Sequence, residues 1–213
     1  LRDYGRVSKV KNQGSEGYCW AFASVASMES SILSQNDLKS KLGENPQDTI
    51  DLSEAGQTWY IHSGIVDKSS PFYGDYINDS SKGSNGGTSD TLAISLNSGF
   101  GTYPQSLCPY NEVKKGFSET LRYYSDYRLK DYSEISNNKD TLKSKIVSNG
   151  AVTVHYPSIT DCYSSDYANY YSDNTCIGIG DSHLIVVVGW DDNYSKDNFT
   201  GKVKPSNDGA WLC

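Results

Sequence analysis

Hydrophobic and polar positions follow a helical spacing in the first half of the chain. Over residues 20–34 apolar side chains recur at helical intervals, and the small residues at 21–24 allow close packing on neighbouring elements. A second helix is predicted to begin at Asp51, which would cap it, with Glu54 reaching back as in a capping box. A third helix is predicted around residues 92–96. The first half is therefore mainly helical.

The pattern changes in the second half. A short helix is predicted over residues 142–147, and residues 151–155 alternate as a strand does. Residues 184–188 form the longest uninterrupted apolar run, and their β-branched content predicts a buried strand. The patterns together predict an α+β chain of two parts: residues 1–108, mainly helical, and residues 109–213, β-rich.

The composition limits the classes of protein to consider. The chain has 213 residues, and 26 Asp and Glu against 19 Lys and Arg give it a net charge of −7. Binding to a nucleic acid backbone depends on clustered basic side chains, so we expect no nucleic acid partner. No apolar run approaches the roughly 18 residues that a membrane-spanning helix needs, so we expect no transmembrane segment.

The cysteines are spread widely, at positions 19, 108, 162, 176 and 213. No two have the Cys-x-x-Cys spacing of zinc ribbons, so we expect no structural metal site. We predict a disulfide between Cys162 and Cys176, which would close a loop of about 15 residues and contribute roughly 3 kcal/mol in an oxidising compartment. Two separate buried thiols are the alternative.

Residues 191–197 have oxygen-bearing side chains at every second position, as calcium-binding loops do. Lys196 stands where such a loop has its turn glycine, so the segment is better interpreted as a solvated acidic loop.

Cys19 stands at the first turn of the first predicted helix. The positive end of the helix dipole and the unpaired N–H groups there favour a thiolate, the form of cysteine that attacks an electrophile. Taken alone, Cys19 fits a small buried apolar residue as well. Gln13 lies six residues upstream in a loop flanked by glycine, where its amide and the backbone N–H of Cys19 can form an oxyanion hole. The two residues together predict a nucleophilic site.

A thiolate nucleophile needs an acid–base partner, and the chain has three histidines. His62 lies late in a predicted helix, where a surface or core-edge role is the default. His155 ends a predicted strand. His183 begins the most apolar strand directly after a glycine-rich stretch, so the sheet would support its ring rigidly. We predict that His183 is the partner of Cys19.

Several segments of the chain resemble the papain-like cysteine proteases. Residues 10–22, Val-Lys-Asn-Gln-Gly-Ser-Glu-Gly-Tyr-Cys-Trp-Ala-Phe, look like the active-site segment of that family. Five further segments follow in the family's order: Leu52-Ser53-Glu54, Ser84-Asn85-Gly86-Gly87, Tyr103-Pro104, Gly150-Ala151-Val152-Thr153-Val154, and Ser182-His183 before a valine-rich strand ending in Gly189-Trp190. The resemblance spans nearly the whole chain and implies a papain-like α+β fold of two subdomains with a substrate cleft between them.

The resemblance implies a catalytic role for three residues. Cys19 would be the nucleophile, and His183 would be the acid and base. Gln13 and the backbone N–H of Cys19 would form the oxyanion hole.

The resemblance also implies where the substrate binds. Gly86 and Gly87 would pair with its main chain, because residues without a Cβ let a peptide approach closely. His155 would line the pocket for the second residue before the cleaved bond, with Leu184 beside it. The substrate-binding residues implied in this way are Trp20, Asn85, Gly86, Gly87, His155, Ser182 and Leu184.

The chain departs from the family pattern in two regions. Glu16 stands where many relatives have a cysteine, and Ser84 stands at the position of that cysteine's usual disulfide partner, so both halves of the bridge are missing. Relatives also carry an Asn-Ser-Trp-Gly segment whose Asn orients the catalytic imidazole, and the sequence stops at Cys213 before it. Asn207 lies in a turn composition, so we do not expect it to replace that Asn. We expect the C-terminal part of the fold to be missing from this sequence.

The function implied by the resemblance is that of a thiol endopeptidase, which hydrolyses peptide bonds through an acyl-enzyme without a metal or cofactor. Its expected partners are protein or peptide substrates and an inhibitory propeptide upstream of Leu1, as in a zymogen. The departures are consistent with bacterial members of the family, and the resemblance implies a secreted or cell-surface protein. The alternative is a non-catalytic surface adhesin or interaction module with the same fold, which the missing Asn and the acidic, tyrosine-rich surface favour.

Overall fold

The computed structural model describes residues 1–75, 86–97, 100–173, 175–176 and 180–213. The α-helices in these residues are α1 Cys19–Ser34, α2 Asn36–Lys39, α3 Pro46–Thr49, α4 Glu54–His62, α5 Ser89–Asn97 and α6 Lys139–Asn149. The β-strands are β1 Val152–Ser158, β2 Tyr163–Ser164, β3 Asn169–Tyr170, β4 Asp181–Val187, β5 Gly189–Asp191 and β6 Ala210–Leu212. All six of these α-helices precede the described strands in the chain, in line with the change from helix to strand that the hydrophobic pattern predicts.

Helix α4 begins at Glu54, close to the predicted position, but its cap differs from the prediction. The N-cap is Ser53, whose hydroxyl accepts a hydrogen bond from the Gly56 N–H at 2.8 Å. The predicted capping box of Asp51 and Glu54 is wrong. Both carboxylates lie 3.0 Å from the ammonium group of Lys11, a partner that is distant in the sequence.

The described strands pair into antiparallel sheets of two strands each. β1 pairs with β4 along its whole length, with Val152 opposite Val187. β2 pairs with β3, and β5 pairs with β6. Cys162 and Cys176 form the predicted disulfide, which ties the chain before β2 to the chain after β3.

Helix α1 packs against the β1–β4 sheet through small polar side chains. The Ser27 hydroxyl donates a hydrogen bond to the Ala151 carbonyl at 2.7 Å, and the Ala151 N–H donates to the Ser30 hydroxyl at 2.9 Å. Gly150 has a φ of +108°, and a Cβ there would lie 2.9 Å from the Ser30 carbonyl, so only glycine fits at this position. These contacts fix the start of β1 against α1.

The same helix contributes to a hydrophobic core with α4 and α5. The buried members of this core cluster are Tyr18, Trp20, Ala21, Ala55, Ile61, Leu92, Leu96 and Val113. Leu184 of β4 packs against the cluster. The core of the helical part therefore reaches β4, the strand that carries the predicted catalytic histidine.

A buried arginine attaches its own segment of the chain to α4. Arg122 is 1% exposed, and its guanidinium donates to the Tyr60 carbonyl at 3.1 Å and to the Gly64 carbonyl at 2.9 Å. It also pairs with Glu119. The Tyr60 hydroxyl donates to the Ser118 carbonyl at 2.6 Å. This segment follows the boundary predicted at residue 108 yet packs on the helical part, and the boundary itself stays a prediction.

Lys11 forms a buried cluster of charges with α1 and α4. Its ammonium group lies 3.0 Å from Glu29 Oε1 and 3.0 Å from Glu54 Oε1, and both carboxylates are almost fully buried. Glu29 also accepts the Leu52 N–H at 2.7 Å. Burial alone lowers the pKa of Lys11, but the two carboxylates outweigh it and raise that pKa well above its usual value. Lys11 therefore stays charged and holds the chain before Gln13 against two helices.

Replacing Lys11 should destabilise the protein, because two buried carboxylates would lose their counter-charge. We expect Lys11→Met to lower the free energy of unfolding at pH 7 by about 3–5 kcal/mol. Lys9→Met is the matched control, since Lys9 is 66% exposed and its ion pair with Asp48 at 3.6 Å contributes at most about 1 kcal/mol. Urea denaturation measures both variants, and equal losses of stability would contradict the prediction.

Glu54 should make stability depend on pH. Burial raises the pKa of Glu54 to about 7, from a usual value of 4.5. The folded protein then binds this proton more tightly than the unfolded chain does, so the stabilisation is full below pH 4.5 and is lost as the pH rises to about 7. In Glu54→Gln the free energy of unfolding should fall less over this range. Urea denaturation across a pH series tests this, and an unchanged slope would refute it.

Candidate active site

Cys19 is the first residue of α1, as predicted. The preceding residue, Tyr18, is the N-cap and gives no side-chain hydrogen bond to the first turn. The backbone N–H groups of a first turn have no acceptor within the helix, so they favour a negative group beside them. Cys19 is 9% exposed, and its thiol is not part of a disulfide. This placement suits a thiolate nucleophile.

His183 lies near the start of β4 and is half-buried. Tyr156 stands opposite it on β1, and the two rings meet edge to face with their centroids 5.7 Å apart. Burial raises the pKa of Tyr156, so its hydroxyl keeps its proton in neutral buffer. Tyr156 was not among the residues predicted for the site. The signal for it is the strand alternation, which continues past His155 and gives Tyr156 the same face as Val154.

The elements that carry Cys19 and His183 are in contact, since α1 packs against β4. Leu184 follows His183 and packs against the core cluster. That cluster includes Tyr18 and Trp20, which flank the nucleophile. In the part of the chain that the structure describes, no hydrogen bond joins the thiol to the imidazole. Such bonds between catalytic groups are often formed only when a substrate binds.

Gln13 lies in the loop before α1 and is half-buried. Its amide Nε2 donates to the Glu16 carbonyl at 2.5 Å, which uses one of its two N–H bonds. Its backbone carbonyl accepts a hydrogen bond from the Tyr110 hydroxyl at 2.7 Å. The second amide N–H is left for the oxyanion hole, and this role of Gln13 stays a prediction.

Gly87 lies against the indole of Trp20. A Cβ at Gly87 would come within 2.6 Å of the ring, whereas one at Gly86 would meet nothing within 4 Å. Gly86 has a φ of +100°, which favours glycine. Trp20 is fully buried and meets the ring of His62 edge to face at 5.8 Å. Trp20 thus supports Gly87, and its own contact with a substrate stays a prediction. Asn85 lies outside the described residues.

Three of the predicted substrate-binding residues lie on one face of the β1–β4 sheet. His155 stands opposite Leu184, and its Nε2 forms a hydrogen bond of 2.5 Å with the Ser182 hydroxyl. His155 and Ser182 are exposed, and Leu184 is half-buried. Because side chains alternate along a strand, His183 and Tyr156 occupy the other face. The structure therefore brings these three residues together and places the imidazole of His183 on the opposite side of the sheet.

Several other sequence features have ordinary structural roles. Asn207 is exposed and bonds only its neighbour, the Ser206 hydroxyl, at 3.2 Å among the described contacts. The carboxylate of Asp191 accepts the Asn193 N–H at 2.8 Å, a local turn contact. Across the described ranges, no group of three or more His, Cys, Asp or Glu side chains is placed to hold a metal ion. In the same residues, no helix is long and apolar enough to cross a membrane.

Comparison with known proteins identifies the family of this chain. A sequence model described as papain family cysteine protease matches residues 1–206. The chain belongs to this family. Its helices and antiparallel sheets form the papain-like α+β fold that the sequence resemblance implies.

Two solved structures of a clostridial enzyme cover nearly the whole chain. The cysteine protease Cwp84 after propeptide cleavage is 27% identical with a TM-score of 0.76, and the match covers 99% of this chain and 47% of that one. The cysteine protease and lectin-like domains of Cwp84, a surface layer associated protein of Clostridium difficile, give 27% identity and a TM-score of 0.72 over 99% and 42%. This chain therefore spans less than half the length of those proteins.

Plant relatives match a shorter stretch more closely. Stem bromelain of Ananas comosus is 62% identical over 29 residues, which is 14% of this chain and 14% of that protein. The precursor of stem bromelain is 22% identical over 99% of this chain and 55% of its own, with a TM-score of 0.60, and shares the fold.

The contact between Gly87 and Trp20 predicts that Gly87 tolerates no side chain. In Gly87→Ala the new methyl group would overlap a fully buried indole, and we expect a loss of about 1–3 kcal/mol in the free energy of unfolding. Gly64→Ala is the matched control, because its Cβ would have its nearest neighbour at an ordinary 3.8 Å. Thermal unfolding followed by tryptophan fluorescence compares the two variants. Equal stability would show that the indole moves freely to make room.

Proposed function

We propose that this chain is the catalytic domain of a thiol endopeptidase in which Cys19 is the nucleophile and His183 is the acid and base. The observation that carries the proposal is the position of Cys19 at the uncapped start of α1, with β4, the strand that carries His183, packed against the same helix. Family membership supports the same conclusion, because the matched family consists of cysteine proteases.

The first half of the reaction would acylate Cys19. Its thiolate attacks the carbonyl carbon of the scissile peptide bond, and the carbonyl oxygen takes up the negative charge. The backbone N–H of Cys19 is free of intrahelical bonding in the first turn, and with the second amide N–H of Gln13 it would stabilise that oxyanion. The imidazolium of His183 gives its proton to the departing amine, and the carbon–nitrogen bond breaks to leave a thioester.

The second half of the reaction would release the acid product. His183, now neutral, takes a proton from a water molecule, which attacks the thioester carbonyl. The carbon–sulfur bond breaks, the substrate acid leaves, and the thiolate and imidazolium return to their starting states. No metal or cofactor has a part in this scheme.

The substrate would lie along Gly86 and Gly87 in extended form, because the open space at Gly86 lets a peptide main chain approach. The second residue before the cleaved bond would meet the face formed by His155, Ser182 and Leu184. The hydrogen bond between His155 and Ser182 makes the rim of this face polar, while Leu184 gives it an apolar base.

The protein is further proposed to work outside the cell or on its surface, after removal of an inhibitory propeptide. The disulfide between Cys162 and Cys176 supports an oxidising compartment. The relative Cwp84 is a surface layer associated protein, and one of its structures is of the form after propeptide cleavage. These relatives also support a bacterial origin.

A peptidyl epoxide should label Cys19, and His183→Ala should slow that labelling by about 10²-fold or more, because the imidazole no longer supports the thiolate or protonates the product. Mass spectrometry of the labelled peptides measures the rate at each cysteine. Cys108 is an internal control, since burial raises the pKa of its thiol to about 11 and it should stay unlabelled. Cys213, whose thiol pKa is also raised by burial, is a second internal control, and any labelling there should be the same in both proteins.

Hydrolysis of a mixed peptide library in reducing buffer is the companion measurement. Cys19→Ala should abolish it while leaving the alkylation of Cys213 by iodoacetamide unchanged. If the unmodified protein cleaves no peptide and its labelling at Cys19 is insensitive to His183→Ala, the endopeptidase proposal is wrong. A non-catalytic surface module would then be the better-supported function. The absence, among the described contacts, of a hydrogen bond between the Cys19 thiol and the His183 imidazole is consistent with that alternative.

A further inference from the structure

The loop before α1, residues 12–18, carries Gln13 and leads directly into Cys19, the two residues of the proposed oxyanion hole; we call it the active-site loop. The carbonyl oxygen of Glu16 accepts two hydrogen bonds within this segment of the chain. This oxygen accepts the amide of Gln13 at 2.5 Å and the backbone N–H of Tyr18 at 2.9 Å. The position of the Glu16 backbone therefore decides both where the Gln13 amide points and where the chain enters α1.

Residues 110–114, which we call the bracing segment, contact this loop from a distant part of the chain. The hydroxyl of Tyr110 donates to the Gln13 backbone carbonyl at 2.7 Å, 97 residues away in sequence. The ammonium group of Lys114 lies 2.5 Å from the carboxylate of Glu16, 98 residues away. The bracing segment thus contacts the loop at two positions, Gln13 and Glu16.

The ring of Tyr110 strengthens the first of these contacts. It meets Tyr18 edge to face at 6.1 Å and Phe22 edge to face at 5.0 Å, so it packs on the residues to either side of the start of α1. Burial raises the pKa of Tyr110 to about 12, and its hydroxyl therefore keeps the proton that it donates to Gln13 in any ordinary assay buffer.

The bracing segment is itself firmly held. Val113 is buried in the core cluster together with Tyr18 and Trp20. Further along, Arg122 bonds the carbonyl groups of Tyr60 and Gly64 at the end of α4. A loop held by a well-packed segment can present hydrogen-bond donors in a fixed geometry, which electrostatic stabilisation of a transition state requires.

We propose that Tyr110 and Lys114 are positioning residues for the reaction, which fix the Gln13 amide relative to the backbone N–H of Cys19. Neither residue is among those proposed to bind the substrate. The proposal rests on the proposed function and adds to it two residues that no catalytic motif contains. An exposed ion pair such as that of Lys114 with Glu16 contributes little to the stability of the protein. A change in kcat on removing it would therefore reflect a change in the geometry of the loop.

The test separates two reactions of the same thiol. Peptide hydrolysis builds an oxyanion on a carbonyl and needs the oxyanion hole, whereas the opening of an epoxide builds its charge on the epoxide oxygen and passes through no carbonyl intermediate. Tyr110→Phe and Lys114→Met should each lower kcat for peptide hydrolysis by roughly three- to tenfold, with KM little changed. The rate at which a peptidyl epoxide labels Cys19 should stay within about twofold of the unmodified protein in both variants.

Matched controls make the same chemical changes elsewhere. Tyr124→Phe removes an exposed hydroxyl that bonds Asp126, and Lys115→Met removes an exposed ammonium beside Glu112. Both should keep the kcat of the unmodified protein. Lys114→Arg keeps the charge and should restore most of the activity that Lys114→Met loses.

A double-mutant cycle tests the ion pair itself. Glu16→Gln and Lys114→Met should each lower kcat, and the double variant should be no slower than the worse single variant, because the two changes break one interaction. The exchanged pair, Glu16→Lys with Lys114→Glu, should recover part of the loss.

The outcomes distinguish this inference from the proposed function. If the unmodified protein hydrolyses no peptide, the proposed function fails and the inference fails with it. If that protein is active but Tyr110→Phe and Lys114→Met match their controls, the inference alone is wrong. It is also wrong if epoxide labelling falls in parallel with hydrolysis, or if kcat follows the thermal stability of the variants, since either result would indicate general damage to the site.

Discussion

The contact between α1 and the β1–β4 sheet is the interaction on which the rest of the molecule depends. It is made by backbone groups and short side chains: Ser27 and Ser30 bond both polar groups of Ala151, and Gly150 lies too close to Ser30 for any side chain. Because α1 also contributes to the core with α4 and α5, one helix belongs to the packing of both parts of the fold. The nucleophile at its first residue is consequently positioned by contacts from both.

Polar contacts hold the chain that leads into this helix. Upstream, the largely buried ammonium group of Lys11 lies between Glu29 and Glu54, where it is tolerated because both partners carry the opposite charge. Downstream, the bracing segment holds the active-site loop through Tyr110 and Lys114. Where many relatives have a cysteine, this chain has Glu16, and the structure gives its carboxylate an ammonium partner. Hydrogen bonds and charges thus restrain this loop on both sides.

The two faces of the β1–β4 sheet carry different sets of proposed functional side chains. One face carries His183 beside the ring of Tyr156, and the other carries His155 bonded to Ser182. The alternation of a strand makes this division unavoidable, since neighbouring residues point to opposite sides. A histidine proposed for acid–base chemistry and a histidine proposed for specificity therefore lie on opposite faces of one sheet.

Local pattern was sufficient for the features that depend on neighbours in the chain. Apolar spacing predicted α1 with Cys19 at its start, β-branched residues predicted the core of β4, and the order of short segments indicated the papain family, which the comparisons confirm. The cap of α4 was predicted wrongly because Asp51 has a partner, Lys11, that lies forty residues earlier in the chain. Tyr110 and Lys114 escaped prediction for the same reason. Each acts through a residue that is remote in the chain, and such a pair leaves no periodic trace in a single sequence, so folding alone brings the two partners together.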